Sequence, residues 1–114
     1  MASTFTVKTS RAIGATATKI GAYAPGAGVA TTVIGLTLAN VTNTAITVSA
    51  FHNDAPGTGG ANTHLIKNAP IPAGSSLVIV GGDQKVVLAN LHSIFVSSNT
   101  ASSVDAVMSV LEVS

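Results

Sequence analysis

Cysteine and tryptophan are absent from this 114-residue chain, and only 8% of its residues are Asp, Glu, Lys or Arg. Without cysteine no disulfide can form, and nothing signals an oxidising compartment. An ordinary soluble domain carries about 25% charged residues. Here Ser, Thr, Asn, Gly and Ala take those places, which leaves a surface that hydrogen-bonds but repels weakly. With a net charge of only +1, such a surface favours association. Lys8, Arg11, Lys19, Lys67 and Lys85 are scattered and matched by Asp54, Asp83, Asp105 and Glu112. No basic stripe is available to neutralise several phosphates, so nucleic acid is not an expected partner. No apolar run approaches the ~20 residues that span a bilayer as a helix, so no membrane partner is expected either. The opening MASTFTVKTSR lacks the basic-then-apolar order of a secretion signal. Assembly in a cytoplasm is the expectation.

What the chain does have is period two. Apolar residues alternate in short blocks separated by Gly, Pro, Asn and Asp, the signature of a sandwich or barrel. The length suits one domain over 1–114 and one core. Thr32 to Leu38 places Ile34, Leu36 and Leu38 on one face, and Thr44 to Ala50 places Ile46, Val48 and Ala50 on one face. Asn40-Val41-Thr42-Asn43 between them reads as a hairpin turn. Residues 54–61 are too rich in Gly and Pro for a strand and read as a loop. A strand over about Thr63 to Lys67 leads to Pro70-Ile71-Pro72-Ala73-Gly74. Two prolines there predict a corner at a sheet edge or between sheets, with Gly74 left-handed at the end of a tight turn.

Ser76-Leu77-Val78-Ile79-Val80 is continuously apolar, as in a strand covered on both faces. Gly81-Gly82-Asp83 reads as a turn and Gln84 to Leu88 as the return strand. Residues 92–98 put Ile94 and Val96 inward and Phe95 outward. The last strand, Val104 to Val113, is apolar on both parities, which predicts a central position or a face against a neighbour. Thr4 to Ile20 is small and polar, anchored thinly by Phe5, Val7 and Ile13; it is either the first one or two strands or, over residues 1–12, an N-terminal arm that orders against a partner. The fold class expected is all-β, a single antiparallel β-sandwich, jelly-roll or Ig-like, of about eight strands with little or no helix.

Chemistry is sparse. His52, Asp54 and His64 are the one cluster of titratable groups, and two imidazoles with a carboxylate can bind a metal. Ordinary hydrogen-bonding histidines at loop edges explain them better, and no metal is expected. Gly74-Ser75-Ser76 is not a nucleophile elbow, four acids are too dispersed for acid–base pairing, and the glycine loops lack the Lys of a phosphate loop. Neither an enzyme nor a cofactor is expected. A carbohydrate site would need exposed rings, and only Tyr23, Phe5, Phe51 and Phe95 are aromatic; Phe51 beside His52 is the candidate platform.

The segment from Ile71-Pro72-Ala73-Gly74 through Gly81-Gly82-Asp83-Gln84-Lys85 to Leu88, with the closing Ser109-Val110-Leu111-Glu112, resembles small virion structural proteins of tailed bacteriophages, cyanophage-like ones among them. The match covers about residues 69–113, with Gly35 to Asn40 a looser one. It departs at Ala89-Asn90-Leu91-His92, where such proteins carry an acidic Gly-Asp turn. The resemblance implies a non-enzymatic β-sandwich repeated in a virion. A capsid decoration or cement protein comes first, a neck, tail or baseplate component next, and a receptor- or carbohydrate-binding module third. The implied partners are other virion proteins, major capsid or tail and neck subunits, and further copies of itself in a homo-oligomer. Phe5, Val7, Phe95, Val107, Leu111 and Val113 are the expected interface residues.

Overall fold

A computed structural model describes residues 3–54, 61–81 and 84–113. Nine strands are described: β1 Ser3–Ile13, β2 Thr18–Lys19, β3 Ala30–Asn40, β4 Ile46–Asn53, β5 Asn62–Ile71, β6 Ser76–Val80, β7 Val86–Leu88, β8 Ser93–Ser98 and β9 Val104–Val113. The helical content among these residues is one 3₁₀ turn, Ile20–Ala22. The chain is all-β, as its period-two pattern predicts.

The pairing is nested. β4 pairs with β5, β3 with β6 and β7, β2 with β8, and β1 with β9, all antiparallel. The chain is therefore one long hairpin whose tip lies between β4 and β5. Rolling that hairpin up adds two further ladders, β9 on β3 and β8 on β4. The result is a sheet A ordered β1-β9-β3-β6, with β7 also on β3, and a sheet B ordered β2-β8-β4-β5. Of the two sandwich types expected, this strand order is the jelly roll.

The core lies between the sheets. Val33, Leu36, Leu38, Met108 and Val110 from sheet A meet Ile46, Val48, Ile94 and Val96 from sheet B, all essentially inaccessible. Burying each such side chain stabilises the fold by about 1.5–3 kcal/mol. β9 is central in sheet A, between β1 and β3, as its two-sided apolar pattern predicts.

Several sequence expectations are corrected. β3 and β4 do not form a hairpin, because they belong to different sheets. Asn40 makes their connection a corner. Its buried side chain donates to Thr44 O at 2.8 Å and Ile71 O at 3.0 Å, and accepts from Thr42 N at 2.9 Å and Thr42 Oγ1 at 2.7 Å. β6 is not covered on both faces: it is the edge of sheet A, and Val78 is exposed. Nor is 84–88 a return strand. Val80 lies opposite Leu36 and Leu88 opposite Thr31, so β6 and β7 run the same way along β3. Gly82 and Asp83, like residues 55–60 of the expected loop, lie outside the described residues. Finally, a register shift between Val33 and Gly35 turns Ile34 away from Leu36 and Leu38; Val33 takes the inward place.

The proline corner follows expectation. Pro70 sits in β5, the edge of sheet B, and Pro72–Ser75 turns the chain toward sheet A, with Ser75 N donating to Pro72 O at 3.1 Å and Gly74 at φ 70°. At the divergent Ala89–His92 stretch a turn still forms: His92 N donates to Ala89 O at 2.9 Å, with Leu91 at φ 64°.

Candidate interaction face

Residues directly opposite each other in an antiparallel ladder project to the same side, so the register maps the outer face of sheet A row by row. One row holds Ser3, Val113 and Ala30; the next Phe5, Leu111, Thr32 and Val87; the next Val7, Ser109 and Gly35; the last Thr9, Val107, Thr37 and Val78. No charged residue stands in these four rows. Asp105 lies one row beyond, where its carboxylate accepts from Ala12 N at 3.0 Å.

The face is apolar as well as neutral. Among the described residues the exposed large hydrophobics are Phe5, Val7, Val41, Val78, Val87, Leu91 and Val107, and five of these seven stand in the rows above. Phe5 is the most exposed, at 73%. A shallow open groove of about 430 Å³ lies beside it, lined by Phe5, Thr6, Val7, Ile34, Ser109 and Val110. It exists because the middle row is built from small residues, Ser109 and Gly35, while the Val33/Gly35 register shift swings Ile34 outward to form one wall.

The sequence named six interface residues. The structure brings Phe5, Val7, Val107, Leu111 and Val113 together on this face and puts Phe95 on the opposite sheet. Ile34, Val78 and Val87 also belong to the face and were not legible as such. Their sides depend on a register shift and on β6 and β7 sharing β3, neither of which alternation reports.

The outer face of sheet B carries a ladder that crosses all four of its strands. Lys19 Nζ lies 5.8 Å from the Phe95 ring centre, Phe95 stacks on Phe51 at 5.4 Å and 6°, and Phe51 meets His64 at 5.3 Å. The ring faces that a sugar would stack on are thus turned toward one another and toward Lys19 and His64.

His52 is the neighbour of Phe51 on β4 and so projects to the other side. His92 Nδ1 and His52 Nε2 are 3.1 Å apart, with the rings edge to face. Burial, and the charge of His92 when present, hold His52 below the ordinary imidazole range, partly offset by Asp54. His64, paired opposite Phe51, is not brought to His52. The two-histidine, one-carboxylate set weighed from sequence is therefore not assembled, and no group of three potential metal ligands occurs among the described residues.

Among the described residues Tyr23 is also perturbed. Its hydroxyl donates to Glu112 Oε2 at 2.6 Å and lies 2.8 Å from Thr31 Oγ1, while Lys8 Nζ sits 4.5 Å over its ring. Burial and the Glu112 carboxylate push its pKa up to about 12. The cluster ties β1, β3 and β9 together at the end of the roll.

No protein-family model matches this sequence, and no curated protein matches it. In structure the chain is similar to a solved protein from Bacillus endospore appendages, which form a novel family of disulfide-linked pili. The TM-score is 0.52 at 14% identity, covering 97% of this chain and 85% of that one. At that identity the likeness is one of fold. Linkage by disulfides is closed to the present chain, which has no cysteine.

Proposed function

We propose that this chain is a non-enzymatic structural subunit of a repeated assembly, a virion protein of the capsid decoration or cement type. The observation that carries this reading is the uncharged, apolar outer face of sheet A. A monomer gains nothing from five large exposed hydrophobics on one sheet face, whereas a contact does. Each subunit would cover apolar area worth about 25 cal/mol per Å², and repetition over one shell would multiply weak contacts into firm attachment. The likeness to a pilus subunit supports a structural role for the fold, and the sequence resemblance over residues 69–113 supports the virion setting. The carbohydrate-binding alternative loses its support at Phe51 and Phe95, whose ring faces are already occupied.

The test is co-sedimentation with phage particles. The wild-type chain is expected to sediment at a fixed ratio to the major capsid subunit, and Val107→Asp and Leu111→Asp to be released while melting cooperatively. Failure of the wild type to associate with any particle would overturn the virion reading. Retention of both variants at full stoichiometry would remove sheet A from the contact.

A further inference from the structure

The groove on sheet A and the ring beside it suit one another, and we infer that the occupant of this face is a second copy of the same chain, docked face to face about a two-fold axis. The inference rests on reading that face as a contact surface; what it adds is the partner. Three observations favour a copy of this chain.

The first is shape. Phe5 stands proud at the rim of the groove whose floor is Ser109. In an isologous pair every contact occurs twice. A two-fold axis over Ser109, parallel to the strands, sets Ser109 against its own duplicate and lays each Phe5 over the β3 side of the other copy's groove, against Ile34, so one feature supplies both ridge and hollow.

The second is charge. Symmetry brings groups near the axis close to their own duplicates, so a charge there would face a like charge. The four rows from Ser3–Val113–Ala30 to Thr9–Val107–Thr37–Val78 contain none. A net charge of +1 leaves little long-range repulsion to hold two copies apart.

The third is size. Four strand positions about 4.8 Å apart and four rows about 6.7 Å apart make a patch of about 500 Å² per copy, so about 1,000 Å² in total, the least that a specific interface is expected to bury. Two twisted sheets packed this way lie about 10 Å apart with strands near −30°. The product is a four-layer stack with both copies of sheet B outermost.

Sedimentation velocity of the purified full chain between about 1 and 100 µM tests this. A dimer is expected, and Phe5→Asp is expected to raise its dissociation constant by at least about thirtyfold, as a central aromatic anchor does, with the circular dichroism spectrum unchanged and melting still cooperative. A second measurement needs no loss of contact. Because the chain lacks cysteine, Ser109→Cys is expected to form disulfide-linked dimers under mild oxidation, whereas Ser97→Cys on sheet B is not. A wild-type chain monomeric at 100 µM overturns the inference, and so does a dimer that cross-links through Ser97→Cys rather than Ser109→Cys. Either result leaves the proposed structural role to the particle assay, in which a monomer that still binds particles through sheet A would retain that role and lose only the twin.

Discussion

Asn40 holds the corner of the sandwich through hydrogen bonds that water cannot replace. It is 2% exposed, and its amide donates to the carbonyls of Thr44, Ile71 and Pro72 while its oxygen accepts from Thr42. Asn40→Ala takes this donor from the buried Ile71 O and leaves Thr44 O to the Thr42 hydroxyl alone. The expected cost is about 2–3 kcal/mol, readable as a lower midpoint in urea with an unchanged slope. Asn40→Asp keeps the shape but turns an acceptor toward Ile71 O, and recovery of stability by that variant would refute the account.

His52 yields a pH prediction. Its folded pKa is depressed below 6.5, with burial as the first cause, so the folded state resists taking up its proton. The associated stability is present above pH 6.5 and lost as pH falls through the folded value. The hydrogen bond to His92 acts in the same direction, since it needs one bare ring nitrogen. Asp54 opposes it, and His64 stands on the other side of β4. The melting temperature is expected to fall between pH 7 and pH 5 in the wild type, and to fall less in His52→Gln. Equal slopes in both proteins would assign the acid sensitivity elsewhere.

Among the elements, the turn from β5 to β6 carries the clearest expectation. Gly74 has φ 70° and open space around a would-be Cβ. Gly74→Ala therefore meets no neighbour and costs only the left-handed backbone, about 1–2 kcal/mol. Thermal melting checks this, and an unchanged midpoint would mean the turn relaxes.

That turn was legible because Pro and Gly act locally, at the residue that bears them. The strands were legible for a similar reason: alternation in 46–50 and 94–96 follows directly from one buried face. Partners are another matter. Asn40-Val41-Thr42-Asn43 satisfies a tight hairpin and an inter-sheet corner equally well, and only long-range pairing chooses. The run Leu77–Val80 looks two-sided because a register shift opposite Leu36 and Thr37 lets Ile79 and Val80 both turn inward. A bulge erases the parity on which the inference rests.

For the whole molecule, the candidate face was half visible. β9 shows its outward apolar set within one segment, so Val107, Leu111 and Val113 declare themselves. Phe5 and Val7 join them only through the pairing of β1 with β9, and Val78 and Val87 only through β3. Phe95 points outward as read, yet on the other sheet, because strand alternation says which side of its own sheet a residue takes and never which sheet.

The nested pairing also has a mechanical consequence. Ser3 lies opposite Val113, so the first and last described residues are neighbours at the same end of one ladder. Tension applied between them would peel β1 from β9 one hydrogen-bonded pair at a time, instead of shearing the whole ladder together. A roll built this way yields to small forces at its ends, which suits a part held by its faces better than one strung along a thread.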